Sequence, residues 1–234
     1  MKLGPNQIVA CPHCGALAHY RTLVSGNTLG AVVWTDGRQC AVMMKTPPAV
    51  VKCHACATCH WLTDAKEIGV VARDFPWKVP VTEAWKNAPE VKEPSADEYL
   101  DAVEAGLAKD EAQEKCLRIL AWWRANDSSR DWTPDAERAP AASPDGFRRN
   151  LRRLAELLTD DTDDERVRKA EVLRELGQFK AAEAALGEVA FQVLTSAAPR
   201  LAWPRPFHEG DRNAAPPPGR NQLPGLLQTR AAAR

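Results

Sequence analysis

The feature that most restricts this chain is a pair of cysteine pairs, Cys11/Cys14 and Cys53/Cys56, each with two residues between the thiols and with a long intervening stretch between the pairs. Two intervening residues let both thiolates face one ion while backbone N–H groups of the turn donate to the sulfurs. Gly15 then offers the positive φ that ends such a turn. Brought together, the four sulfurs make a closed tetrahedron for one Zn2+, so the chain between them must leave and return to the same point. A site of this kind has no open position for water or substrate, and the expected role of the ion is structural. It supplies folding free energy that a unit of about 60 residues gathers poorly from its own core.

The second pair lies within VKCHACATCHW, Val51 to Trp61, which has two other parses. Cys53, Cys56 and Cys59 resemble the start of an iron–sulfur run, and Cys56-Ala57-Thr58-Cys59-His60 spells the c-type haem attachment pattern. Haem attachment belongs to an exported protein, and MKLGPNQIVACPHCG has neither the apolar core nor the cleavage site of a secretory signal. The iron–sulfur parse needs one distant ligand and leaves Cys14 unused. The first knuckle, Cys11-Pro12-His13-Cys14-Gly15, resembles the CPxCG knuckle of zinc-ribbon families, which implies a zinc ribbon held by Cys11, Cys14, Cys53 and Cys56. The second knuckle departs from that pattern because Ala57 stands where glycine is preferred, which leaves open whether Cys59 or His60 takes the place of Cys56. Cys40 and Cys116 read as small apolar side chains, and His13, His19 and His54 as exposed knuckle or strand residues.

The fold class expected is α+β: a β-rich zinc ribbon over residues 1–73, a linker or packing arm over 74–94, a helical region over 95–196 and a disordered tail over 197–234. In the ribbon, Ala16 to Val24 reads as a strand, and Leu29 to Trp34 and Gln39 to Met44 as a hairpin around Asp36-Gly37, whose glycine tolerates the positive φ of a tight turn. Prolines 76, 80, 89 and 94 exclude a helix interior from the arm, while Phe75, Trp77 and Trp85 suggest packing. Seven prolines without periodicity mark the tail from Ala197 onward.

Helices follow from caps and apolar spacing. Ser95-Ala96-Asp97-Glu98 is a capping-box signature ahead of Leu100, Val103 and Leu107, and a second helical stretch carries Leu117, Leu120 and Trp123. Ser143-Pro144 places a serine at a cap and proline at the first helical position, ahead of Phe147, Leu151, Leu154 and Leu158. Thr162 to Glu165 is another capping-box candidate, with Gly177 as the stop and a further helix from about Lys180 to Leu194. The segment AEVLRELGQFKAAEAALGEV resembles one tetratricopeptide repeat. That resemblance puts Ala170 and Ala182 at small helix-crossing positions, Leu173 and Phe179 at large inter-helix positions, and Leu186 and Val189 on the second helix. One repeat cannot bury its own faces, so it must stack on other helices or on a partner. Of Trp122 and Trp123, about 100° apart on a helix, at most one is expected to lie fully in the core stripe, its neighbour packing under the loop after Asp127 or forming a surface contact. The acidic run from Asp160 to Glu165 lacks the glycine and spacing of a calcium loop and suits a helix start.

Charge and motifs bound the function. Residues 1–80 carry 8 basic and 4 acidic side chains, 81–200 carry 18 and 25, and 201–234 carry 5 and 2, so no segment has the basic excess of a dedicated nucleic-acid binder. No apolar run approaches the length of a membrane span, roughly 18 to 20 residues, and a soluble cytoplasmic protein is expected. HExxH, Walker, GxSxG and GxGxxG patterns are missing from the sequence. As a whole the chain looks like uncharacterised bacterial proteins that join a CPxCG ribbon to a repeat-like helical region. The expectation is a non-enzymatic adaptor with one structural zinc and a protein partner. The alternative is a nucleic-acid-binding ribbon using Tyr20, Trp34 and Trp61 for base stacking.

Overall fold

The computed structural model describes residues 1–71, 81–130 and 142–187, all within one compact unit that spans Met1–Ala202. The expected disordered tail, Phe75 and Trp77 of the arm, Val189, and the end of the last expected helix lie outside the described residues. Strands precede helices, so the class is α+β.

The ribbon begins earlier than the sequence suggests. KLGPNQIVA forms β1 (Lys2–Ala10) despite Gly4, Pro5 and Asn6, residues that usually interrupt strands. The register against β2 (Leu17–Ser25) shifts between Leu3 and Asn6, which absorbs the proline in an irregularity, and the Thr22 hydroxyl donates to the Pro5 carbonyl at 2.8 Å. Two short antiparallel pairs follow, β3 (Val32–Val33) with β4 (Gln39–Cys40), and β5 (Val50–Lys52) with β6 (Cys59–Trp61). Strand β7 (Lys66–Val71) then pairs with the free edge of β1, giving a sheet in the order β2-β1-β7.

The hairpin around Asp36-Gly37 forms with Gly37 at φ 83°, but its strands are far shorter than the apolar runs suggest, two residues each. Asp36 turns its carboxylate inward and accepts from the Arg38 backbone N–H at 3.0 Å, which ends the ladder. Leu29, Val42 and Met44 are left exposed. Cys40, expected in the middle of a strand and in a core, is only half-buried on β4.

Part of the arm packs on the ribbon. Thr82 caps α1 (Glu83–Lys86), and the Trp85 ring lies where a Cβ on Gly69 would be, 2.5 Å from its nearest atom. Beyond it the chain runs beside β2 and β5: His19 N–H donates to the Pro89 carbonyl at 2.8 Å and Lys52 N–H to the Lys92 carbonyl at 2.9 Å.

Five further helices are described: α2 (Ala96–Glu104), α3 (Glu111–Asn126), α4 (Pro144–Leu157), α5 (Asp163–Glu175) and α6 (Phe179–Leu186). The Ser95 capping box is complete, with Glu98 N–H to the serine at 3.3 Å and Ser95 N–H to the glutamate at 2.8 Å. The other two starts fall where the sequence places them, with Ser143 and Thr162 at the caps, but their hydrogen bonds differ. Ser143 makes no cap bond; its hydroxyl donates to Asp97 at 3.1 Å and so ties α4 to α2. Thr162 accepts from Glu165 N–H, but the Glu165 carboxylate is taken by Thr159 and by Lys115 on α3, leaving half a box. Gly177 ends α5 at φ 77°, as expected.

One core joins helices and ribbon. Tyr99, Leu117, Leu120, Trp122, Leu151, Leu154 and Val172 cluster with Val50 of β5, and Trp61 and Cys59 of β6 pack against them. On α2, Tyr99 and Ala102 are buried while Leu100 and Val103 sit at the edge. Both tryptophans of α3 are buried, each against a different surface. Trp122 belongs to the helical core and donates to Glu175 at 3.0 Å, whereas Trp123 is covered from the other side by the β3–β4 turn and donates to the Asp36 carbonyl at 2.9 Å. At the α5–α6 pair, Ala170 and Ala182 are buried at the crossing, but Phe179 is 67% exposed. It is the first residue of α6, with no earlier helical turn to pack on.

Candidate metal centre

Each cysteine pair sits on a turn built the same way. In the first, Gly15 N–H donates to the Cys11 carbonyl at 2.9 Å and Cys11 N–H to the Ala16 carbonyl at 2.9 Å. In the second, Ala57 N–H donates to the Cys53 carbonyl at 3.0 Å and Cys53 N–H to the Thr58 carbonyl at 3.0 Å. Gly15 has φ 74° and Ala57 φ 59°; among the described residues Ala57 is the one non-glycine in this left-handed region. The position that departs from the glycine pattern is therefore forced into the conformation glycine would take.

The turns stand at the ends of β1 and β5 and face each other. Cys11 Sγ lies 3.9 Å from Cys56 Sγ, Cys14 Sγ lies 3.6 Å from Cys53 Sγ, and all four sulfurs lie within 4.8 Å of one another. A tetrahedron with metal–sulfur bonds of about 2.3 Å has S···S edges of roughly 3.8 Å. The spacing fits one ion, and it is far longer than a disulfide bond of about 2.05 Å. Backbone N–H groups point at the sulfurs, among them Ala55 to Cys53 at 3.4 Å. Cys11 and Cys53 are buried, while Cys14 and Cys56 face solvent.

Electrostatics argue the same way. Without a cation the four thiols compete for charge. The Ala16 N–H favours the Cys14 thiolate, yet burial and the three neighbouring thiols prevail and push Cys14 up to about 12. Burial raises Cys11 as well, and hydrogen bonds from Thr58 draw Cys56 down to about 6. Four thiols this close cannot all ionise unless a cation sits among them, and a divalent ion inverts that balance.

Cys59 and His60 are not part of the cluster, which is the one group of this kind found among the described residues. The pleat explains why. Val50 pairs with Trp61, Val51 with His60, and Lys52 with Cys59. Alternate residues face opposite sides, so Cys59 and Trp61 turn to the helices and His60 to the ribbon. The Cys59 sulfur lies 4.0 Å from the Glu98 carbonyl, and burial with the nearby Glu98 charge lifts its thiol to about 11. His60 is 5% exposed with Nδ1 unpartnered, and its ring meets His13 edge to face at 6.1 Å. Burial lowers its pKa, so the neutral ring is favoured. Both the haem parse and the iron–sulfur parse need Cys59 beside Cys56, and the structure separates them. His13 and His54 are exposed on the knuckles as expected, while His19 is half-buried with Nδ1 2.7 Å from the Ala88 carbonyl.

A second constellation had no signal in the sequence. Asp36, 3% exposed at the β3–β4 turn, pairs with Arg130, which also bonds Asp127 at 2.5 Å and lies 4.6 Å from the Trp34 ring centroid. Asn126 bridges Asp36 and Glu175 at 3.4 and 3.0 Å, and Arg38 stacks over Trp123 at 5.5 Å. This clasp fixes the hairpin to α3 and α5. Burial raises the Glu175 pKa despite the bonds from Trp122 and Asn126. It holds no thiol or histidine and no metal-ligating geometry.

Comparison with protein-family models, curated proteins and solved structures returns no match for this chain. Among the described residues no helix is long and apolar enough to cross a membrane.

Proposed function

We propose that this chain is a non-enzymatic adaptor in which one zinc ion stabilises a ribbon and the helices bind another protein. The observation that carries the reading is the cluster of Cys11, Cys14, Cys53 and Cys56 at tetrahedral spacing. With four protein sulfurs on one ion, no coordination position is left for a substrate, and the ion's role is to hold the fold. Four thiolates in two CxxC turns suit zinc best among abundant divalent ions. Because Val50 and Trp61 share the helical core, free energy supplied at the cluster also steadies the helices.

Two observations favour protein over nucleic acid as the partner. Trp34 is engaged by Arg130, and Trp61 packs on the core and donates to the Leu107 carbonyl at 3.3 Å, so two of three candidate stacking rings are occupied internally. The helices instead present free surface, including Phe179 and unpaired arginines of α4.

The shared core makes cutting the ribbon from the helices a poor test, so the experiment uses the full chain. Elemental analysis of protein purified without added metal is expected to give one zinc per chain and no visible absorption; a visible band would mean iron. Crosslinking mass spectrometry in cell extract is expected to map protein crosslinks onto α2 to α6. Crosslinks to nucleic acid, or to the ribbon alone, would overturn the adaptor reading.

A further inference from the structure

Helix α4 divides its charges unequally. Its inner face carries Gly146, Asn150, Leu151, Leu154 and Leu157, all buried. Of its four arginines only Arg153 has partners among the described residues: it forks onto Glu114 at 3.0 and 3.1 Å and reaches Glu156 at 3.1 Å. Arg148, Arg149 and Arg152 are exposed and form no ion pair among the described residues. With Asp145 they line one groove of about 530 Å³. The spacing i, i+1, i+4 stacks Arg148 and Arg152 one turn apart with Arg149 beside them, so three guanidinium forks open on one strip.

An ordinary solvated helix face mixes signs, and acids are plentiful here: residues 81–200 hold 25 acidic against 18 basic side chains. Asp145 lies three and four residues from Arg148 and Arg149, yet forms no ion pair with either. The groove gathers three positive charges against one negative, within a stretch of sequence that is negative overall. No aromatic ring lines the groove to stack a base, which disfavours a nucleic-acid strand. Carboxylates suit the three forks, each able to bind one through two parallel N–H groups, and the single acid of the lining, Asp145, leaves the groove net positive.

We infer that Arg148, Arg149 and Arg152 form the docking site for a short acidic segment of a protein partner. The inference rests on the adaptor reading and locates its contact surface.

The test uses the full chain and a fluorescein-labelled hexaglutamate peptide, followed by anisotropy at about 50 mM salt, where the screening length still spans the groove. Oligothymidylate of equal charge is the second arm. The peptide is expected to bind saturably. The triple variant Arg148→Gln, Arg149→Gln, Arg152→Gln is expected to bind it at least about tenfold more weakly, three exposed charge-assisted contacts being lost. Its thermal midpoint should stay near wild type, because no buried contact is removed. Arg166→Gln, on α5 and paired with Asp163, should leave peptide binding unchanged. Binding by the triple variant within twofold of wild type, absence of peptide binding, or tighter binding of the oligonucleotide would each overturn the site. Protein crosslinks on other helices that survive the triple substitution would sink this site alone and leave the adaptor reading standing; absence of protein crosslinks would sink the adaptor reading.

Discussion

The thiol cluster and the Asp36 clasp both join segments far apart in the chain, but they use opposite chemistry. At the cluster, two knuckles present four sulfurs that repel one another as anions and become cohesive only around a cation. At the clasp, the opposite charges are all supplied by the chain: Asp36 and Asp127 face Arg130, and Trp34 and Trp123 wall them off from water. A metal centre adds free energy that the polypeptide lacks. A buried ion pair adds little, because desolvation offsets attraction, yet it penalises every arrangement in which one partner is left alone. The first therefore sets how stable the ribbon is, and the second sets where the hairpin lies on the helices.

Removing the ion is the harshest way to test this difference. Apparent binding free energies for structural zinc in small domains run to roughly 10 to 16 kcal/mol, more than the whole stability of a typical domain. A strong chelator, or Cys53→Ser at a buried ligand, is expected to unfold the ribbon. Because β5 and β6 contribute Val50 and Trp61 to the helical core, the helices should melt at lower temperature as well. Circular dichroism with and without chelator measures both. An unchanged melting curve would show that the cluster contributes no structural free energy.

Breaking the clasp should cost less but still much. Asp36→Ala leaves the Arg130 guanidinium, whose side chain is 5% exposed, without its deepest counter-charge. Stranding one member of a buried pair costs about 3 to 5 kcal/mol. The expected result is a large drop in the urea midpoint with metal content unchanged. Loss of metal together with stability would show that clasp and cluster are one unit.

The two regions also differ in how far the sequence discloses them. A knuckle needs only two cysteines three positions apart and a turn, so the clustering of the four thiols could be read from CPHCG and CHAC. Strand alternation settled what that reading left open, because pairing Val51 with His60 sends Cys59 to the other face. The clasp draws single residues from the hairpin, α3, the turn after it and α5, and no local pattern links Asp36 with Arg130 across 94 positions. The same reason hides the burial of Trp123: helical spacing describes one face, and the β3–β4 turn supplies a second core surface. Strand β1 was hidden differently, since Gly4 and Pro5 signal a break that the β1–β2 irregularity accommodates. All three helix starts read from caps, at Ser95, Ser143 and Thr162, were legible, but the bonds at the cap were not where Asp97 or Thr159 competes for the capping group.

An intermediate case is the surface pair that ties α3 to α4. Arg153 above all, then Arg118, holds the Glu114 carboxyl down to about 2, below its ordinary 4.5. A carboxylate depressed in the folded state contributes stability that is present above the unfolded pKa and lost as pH falls toward the folded one. The contribution should therefore fade between about pH 4.5 and about pH 2. Glu114→Gln is expected to lower the urea midpoint at neutral pH by more than at about pH 3, with the two curves converging only as pH approaches about 2. A constant difference across that range would assign the loss to packing instead of charge.

The smallest expected effect returns to the cluster and separates backbone from metal. Gly15 and Ala57 occupy the same place in the two knuckles, at φ 74° and 59°. The left-handed conformation costs an L-residue roughly 1 to 2 kcal/mol, while glycine adopts it freely. Replacing alanine by glycine also loosens the unfolded chain, which returns about 0.4 to 1 kcal/mol. Ala57→Gly is accordingly expected to stabilise the protein by about 0.5 to 1 kcal/mol, and Gly15→Ala to destabilise it by a similar amount, although a Cβ on Gly15 meets no atom within 4 Å. Both changes should leave the metal stoichiometry at one, because the carbonyl-to-amide bonds that shape each knuckle are kept. If Ala57→Gly failed to raise the thermal midpoint, the second knuckle would have to relax on metal binding into a conformation that alanine tolerates, and the strain of the left-handed Ala57 would belong to the metal-free turn alone.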